Sequence, residues 1–247
     1  MNMKVGNLFS IIILLVGFCY ASMLPHLKLK EAIIYDRSAP NQKILFKLKR
    51  NIQIANPHKT IEDTFTDTSG NIVAIERFKY LGELLESYEL KDHQTGVEGK
   101  VTLSNGNAAF EVKTKKEDGT ESIKKSQESL SPNTLSKNQI VDYLVNNWDK
   151  LVQNETINIR LLVVDRAETV GFKFFKDHET TYDGKKIVVI KMKPSSILIA
   201  ALVDPLYFTF EEKAPHMLLE VNGRVLPKQL VDGKYSDLDA VTVFKYF

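Results

Sequence analysis

The chain has 247 residues, with 33 Lys plus Arg against 31 Asp plus Glu and a formal net charge of +2. A balance this near neutral argues against a nucleic-acid partner, which would call for a basic surface. Its one cysteine, Cys19, falls within the first two dozen residues, so a chain cut after it can hold no disulfide, thiolate metal site or cysteine nucleophile.

Those first residues read as an export signal. Lys4 precedes the apolar run Leu8 to Phe18, and Cys19 and Ala21 stand at the two small positions of an A-x-A-like exit before Ser22. That is the pattern of a secretory signal peptide over residues 1–21, cleaved near Ala21. The run is shorter than the ~20 residues needed to cross a bilayer. Phe18 occupies a position where a lipid-attachment signal wants a small residue. The expectation is therefore a soluble periplasmic monomer, with residues 22–247 as a single β-rich domain and a net charge that falls to about +1 on cleavage.

From Lys28 to about Lys125 short β-branched and aromatic segments alternate with turn residues, which predicts an antiparallel meander. The turns are Asp36 to Asn41, Thr68 to Asn71, Asn105-Gly106 and Asp118-Gly119. Asn105-Gly106 is the strongest, because a two-residue primed turn needs positive φ at both centres. Within Lys43 to Arg50, Ile44, Phe46 and Leu48 share one side while Lys43, Lys47 and Lys49 point the other way, as a sheet with one buried face requires. That cluster and Lys113 to Lys116 therefore read as the wet faces of strands, with attraction to anionic head groups as the functional alternative.

The period changes after Ser131. Ser136 and Gln139 have capping-box spacing, and Ile140, Tyr143, Leu144, Trp148 and Leu151 recur at helical intervals. One amphipathic helix of about four turns is predicted. Strands follow at Ile157 to Val163 and Val170 to Phe174, then Asp183-Gly184 turns the chain into a strand at Lys186 to Met192 that is apolar on both faces. Pro194 to Pro205 is a second non-strand segment, capped by Ser195 and stopped by Pro205, with apolar residues all round. A helix of that kind is buried or touches something apolar outside the sequence. Leu206 to Glu211, Met217 to Val221 and Val241 to Tyr246 close the chain as strands.

Catalytic motifs are missing from the sequence. There is no HExxH, no G-x-S-x-G elbow, no phosphate-cradling glycine loop and no EF-hand pattern. His26, His58, His93, His178 and His216 fall near predicted turns or segment ends and read as solvated polar residues. Asp177-His178-Glu179 has the makings of an acid beside a base, but Asp183-Gly184 nearby makes it a wet hairpin tip. Asp232, Asp237 and Asp239 lack the glycine-centred spacing of a calcium loop. No catalytic residue, metal ligand or cofactor is expected. Phe247 ends the chain as the last strand of an outer-membrane barrel would, but Lys245 would then face lipid. Asn154-Glu155-Thr156 has the form of a glycosylation acceptor and carries no function here.

Asn147-Trp148-Asp149-Lys150-Leu151, the strand after it, and Met192-Lys193-Pro194-Ser195 through Leu202-Val203-Asp204-Pro205 resemble an uncharacterised family of bacterial periplasmic proteins. The resemblance implies a signal peptide, a curved antiparallel sheet and a helix bearing Asn-Trp-Asp, with no activity attached. By analogy of fold it is similar to the half-barrels of periplasmic lipoprotein carriers, which hold acyl chains between sheet and helix. The expected fold is mainly β, within the α+β class: a strongly curved antiparallel sheet or half-barrel wrapping one amphipathic helix, plus a short apolar helix.

On this reading the protein binds a lipid or acyl chain against Trp148, Phe172, Ile197, Leu198 and Leu202. An envelope scaffold contacting other envelope proteins, with the same residues as core, is the rival. A hydrolase with an unrecognised site is the third reading. A pocket of several hundred cubic ångströms would favour binding, and a filled core the scaffold.

Overall fold

The structure, a computed structural model, describes residues 29–39, 43–115, 119–201 and 203–247. The leader over residues 1–21, His26, Lys28, Pro40, Asn41, Lys116, Asp118 and Leu202 lie outside these. Eight strands come first: β1 (Leu29–Asp36), β2 (Ile44–Ala55), β3 (His58–Asp67), β4 (Ile72–Leu81), β5 (Leu84–Asp92), β6 (Val97–Ser104), β7 (Asn107–Lys115) and β8 (Glu121–Ser129). After β9 (Thr134–Leu135) come a 3₁₀ turn (Lys137–Gln139), α1 (Ile140–Asn146) and α2 (Trp148–Val152). The second half holds β10 (Ile157–Val163), a 3₁₀ turn (Val164–Arg166), β11 (Glu168–Tyr182), β12 (Lys185–Pro194), α3 (Ile197–Ala200), β13 (Leu206–Glu211), β14 (Leu218–Val231) and β15 (Lys234–Tyr246).

All fifteen strands belong to one curved, unclosed sheet. β1 to β8 form the predicted meander, β10 to β15 form a second, and β1 joins the two by pairing with β15 from Leu29↔Tyr246 to Asp36↔Ala240. The edges are β8 and the two-residue β9, which lies parallel to β10. Side chains rather than a ladder bring these ends together among the described residues. Ser126 Oγ donates to Ala167 O at 2.5 Å, Lys124 Nζ to Arg166 O at 2.7 Å, and Thr169 Oγ1 to Glu128 Oε2 at 2.5 Å.

Local chemistry explains the strands. Asn105 and Gly106 sit at φ 48° and 72°, the primed turn that joins β6 to β7, and Asp183 and Gly184 repeat it at 50° and 73° between β11 and β12. Alternation then sets the faces. Ile61, Asp63 and Phe65 of β3 are buried, as are Ala74, Glu76, Phe78 and Tyr80 of β4, and each intervening residue is more exposed.

Three apolar clusters fill the inward side. Ile140, Leu144, Trp148 and Leu151 of the helical segment pack on Ile157, Ile159, Phe174, Val188, Ile190, Phe208 and Phe210. Leu162, Val164 and Ala167 pack among Phe78, Tyr88, Val101 and Phe110. Ile34, Leu48, Phe65 and Leu238 form the third. Leu162 is three residues from Ile159 and so faces the opposite way, which means that the β10 end of the sheet is packed on both faces. Gly99 makes that packing possible: a Cβ there would stand 2.6 Å from Val164 Cγ1.

Two expectations change. The four-turn helix is broken at Asn147, whose φ and ψ are −113° and 22°. Its Nδ2 donates to Tyr143 O at 2.9 Å, so that carbonyl is shared with the Asn147 N–H, which divides itself between Tyr143 O and Leu144 O at 3.2 Å each. The Ser136 and Gln139 pair forms as predicted, with Ser136 N donating to Gln139 Oε1 at 2.9 Å. The second segment is only one turn, with Ser196 instead of Ser195 at its N-cap and no side-chain cap bond. Ile197 and Leu198 are 87% and 81% exposed, so the protein leaves that side of the turn uncovered.

Candidate functional site

The chemistry of the inward face is a buried ionic seam that joins the sheet to the start of α1. Arg50, Asp63 and Glu76 occupy one cross-strand row of β2, β3 and β4. Arg50 Nε and Nη2 grip the two Asp63 oxygens at 2.7 and 2.6 Å. Glu76, 1% exposed, accepts from Tyr88 OH and from Lys137 Nζ on the 3₁₀ turn. Asn138 Nδ2 donates to Tyr80 OH at 3.0 Å, and Lys59 Nζ lies 4.7 Å over the Tyr80 ring.

A charge taken out of water is costly unless partnered, and here each is paired. Burial alone would push the Arg50 guanidinium down, yet Asp63, with Glu76 and Tyr80 beyond it, holds it above its ordinary value. Burial pushes the Tyr88 phenol well up, and Glu76 adds to the effect. Burial also raises Tyr80, against the opposing bonds from Asn138 and Ser136. These groups are spent on one another, which suits them to fixing helix on sheet rather than to turning over a substrate.

Of the sequence-predicted ligand residues, Trp148 and Phe172 belong to one apolar cluster, and Ile197 and Leu198 are not among its residues. Trp148 is in the core, stacked on His216 at 4.0 Å between ring centroids and edge-on to Phe210 at 5.5 Å. Phe172 packs at the margin of the same cluster, opposite Pro194 at the far end of β12. Ile197 and Leu198 stand beyond that far end, whereas Phe210 pairs with Val188 near the start of β12. The remaining member, Leu202, lies outside the described residues.

Asp177, Asp237 and Asp239 are held by neighbouring basic groups. Asp177 accepts from His178 Nδ1 at 2.8 Å and lies 3.5 Å from Lys191, and it is held below the usual carboxylate range chiefly by His178. Both stand on β11 at the irregularity opposite Ile190 and Val189, short of the hairpin tip the sequence implied. Asp239 accepts from Arg224 Nε at 2.9 Å, and Asp237 from Lys228 Nζ at 2.7 Å and from Arg224. No group of three or more His, Cys, Asp or Glu among the described residues could hold a metal ion.

A cavity of about 810 Å³ is an open trough on the outward face of β4 to β8. Its charges alternate from strand to strand. Arg77 lies 2.5 Å from Glu62 and 3.7 Å from Glu89, Lys100 lies 3.1 Å from Glu89, and Lys125 lies 2.8 Å from Glu111. In the next row Lys91 pairs with Glu98 at 3.1 Å. Such ladders hold register in a sheet whose outer face is wet.

Sequence reasoning missed the seam. One signal was present: Arg50 continues the apolar side of Ile44, Phe46 and Leu48, a place where a cation needs a buried partner. Nothing in the sequence singled out Glu76 as that region's second carboxylate.

No family model matches the chain, and no curated protein matches it. Three solved structures are similar over most of its length. A beta-barrel-like protein of the domain of unknown function DUF1849 from Brucella abortus is 8% identical, with a TM-score of 0.41, covering 89% of this chain and 96% of its own. A DUF1329 family protein from Desulfovibrio piger is 10% identical, with a TM-score of 0.24, over 89% of this chain and 82% of its own. A porin-like protein from Bacteroides uniformis is 6% identical, with a TM-score of 0.20, over 90% of this chain and 99% of its own. TM-scores this low assign neither a family nor an activity.

Proposed function

We propose that this is an exported, periplasmic envelope scaffold that acts through its sheet surfaces on other proteins, without chemistry of its own. One observation carries the reading: the inward side of the curved sheet is filled by three apolar clusters and the Arg50, Asp63, Glu76 and Lys137 seam, while the 810 Å³ trough opens outward and is lined with charge. A carrier needs the reverse, an apolar space turned inward. The leader over residues 1–21 supports the compartment. Native mass spectrometry of protein purified from its own envelope tests the reading. The expected mass is that of the chain cut near Ala21 with nothing bound, and a co-purified acyl lipid would overturn it.

The exposed Ile197 and Leu198 support a second reading, in which an acyl chain is gripped at the α3 turn. On that reading an environment-sensitive fatty-acid probe binds the wild type, and Leu198→Asp abolishes binding while the fold persists. A wild type that binds no probe eliminates it.

A further inference from the structure

The outward face of β11 and β12 carries charge that the protein does not answer. Phe174 and Met192 face inward, so their neighbours Lys173 and Lys193 face out, and these two lysines stand directly opposite each other in the ladder. Like charges in that position destabilise a sheet. On the outward face of β4 to β8, by contrast, Arg77, Lys91, Lys100 and Lys125 each have a glutamate partner. Lys173 and Lys193 have no carboxylate partner among the described residues, and Lys193 Nζ lies instead 5.3 Å over the Phe175 ring.

Beyond this pair the chain leaves the sheet at an apolar tip. Ser195 N still donates to Gly171 O at 2.9 Å, and from Ser196 the chain turns into α3, where Ile197 and Leu198 are 87% and 81% exposed. Asp204 closes the same loop, and Arg37 of the β1–β2 turn lies 3.5 Å from it, so its charge is met within the protein. Side chains as exposed as Ile197 and Leu198 line no pocket, and the trough on β4 to β8 and the hollow at Thr180 and Ile187 are lined by other residues.

We infer that α3 is a membrane-docking tip: Ile197 and Leu198 enter the interfacial layer of an anionic bilayer, and Lys173 and Lys193 meet its head groups. Two side chains supply far less than the about 1,200 Å² of a stable protein–protein interface. A bilayer interface, however, takes up apolar side chains in proportion to their area and adds the attraction of its anionic lipids for cations. The lysines choose the sign of the surface. Lys193 stands about 10 Å up the strand from Ser196, and its flexible stem covers the difference to the about 8 Å over which such a surface attracts at physiological salt. A scaffold so placed is held at a membrane while its sheet faces stay open to other proteins.

Vesicle co-sedimentation of the full exported chain tests this, with vesicles of equal parts phosphatidylglycerol and phosphatidylcholine beside vesicles of phosphatidylcholine alone. The wild type should partition onto the anionic vesicles at least about tenfold more strongly, and the advantage should shrink as salt rises. Leu198→Asp should weaken that partitioning by about tenfold, and Lys173→Gln combined with Lys193→Gln by about as much. Unchanged emission from Trp148, the one tryptophan and a core residue, shows that each variant is folded. Cys19 is the one cysteine of the chain, so Leu198→Cys in the exported chain, cut after it, can be labelled alone with a polarity-sensitive dye. The dye should shift to the blue on anionic vesicles, and should not shift at Leu84→Cys, an exposed position at the other end of the sheet. Equal partitioning onto both kinds of vesicle, folded variants that bind as the wild type does, or a dye that shifts at both positions would overturn the inference. So would a dye at Leu198→Cys that responds to monomeric fatty acid but not to vesicles. Acyl lipid held by the purified protein would sink the scaffold reading without altering the comparison of the two dye positions, so the two fail separately.

Discussion

Trp148 is the residue on which the helical segment turns. It caps the stripe of Ile140, Leu144 and Leu151 and fills the space between His216 and Phe210. Replacing it with alanine should cost about 3–5 kcal/mol, as large aromatic deletions in cores do, with urea unfolding as the measurement. Its fluorescence should be blue-shifted and poorly quenched; red-shifted, quenchable emission would mean that the helix faces outward. Tyr246 is one of the buried tyrosines that tie stability to alkaline pH. Burial pushes its phenol up to about 12, although Arg50 pulls the other way, and its OH donates to Leu218 O at 2.9 Å. An unfolded tyrosine ionises at about 10. Stability from this group is therefore intact below about pH 10 and is lost as pH rises towards 12, where only the unfolded chain releases the proton. Tyr246→Phe should remove about 1 kcal/mol of the stability loss between about pH 9 and about pH 11. An unchanged loss in the variant would show that the phenol ionises freely in the fold.

At the scale of elements, the closest packing is where the 3₁₀ turn at Val164 enters the face of β5, β6 and β7. Gly99 has no room for a Cβ against Val164 Cγ1, so Gly99→Ala should destabilise by about 1–3 kcal/mol through overpacking. Val164→Ala added to it should recover part of that, and a double variant no better than additive would place the strain elsewhere. Elements of this kind divide what a sequence can and cannot announce. Asn105-Gly106, Asp183-Gly184 and the alternation of Lys43 to Arg50 are local signals, and the strands formed where those signals placed them. The stripe from Ile140 to Leu151 was legible for the same reason. The break at Asn147 was not, since it depends on which carbonyl one side chain reaches. Glu76 was illegible for a different reason: in Val73-Ala-Ile-Glu-Arg-Phe78 both faces carry apolar residues, and only the arrival of Lys137 and Tyr88 from remote elements makes that carboxylate tolerable inside. Of the candidate ligand residues, helical period could mark Trp148 as facing the sheet. It could not tell that Ile197 and Leu198 would lie beyond the opposite end of β12, because that is set by topology.

The whole molecule is two meanders held at one seam by backbone and at the other by side chains. β1 and β15 share a ladder seven pairs long. At the other seam β8 reaches β11 and the turn before it through Ser126, Lys124 and Glu128. Glu128 contributes most there, accepting from Thr169 N through both oxygens at 3.2 Å and from Thr169 Oγ1, with Arg160 Nη2 3.9 Å away. Hydrogen bonds between side chains at a partly wet surface contribute about 0.5–1.5 kcal/mol each, whereas opening β1 from β15 would break a ladder and expose Ala32, Ile34 and Ala240, none of them more than 1% exposed. The sheet should therefore open first at β8. Glu128→Ala should speed exchange of the β8 amides by about tenfold while those of β1 and β15 keep their protection, because local opening draws on the least buried contacts. Native-state hydrogen exchange under mild denaturant reads both strands at once. If β8 and β1 lose protection together, the curved sheet opens as a single cooperative unit and the side-chain seam is as strong as the ladder.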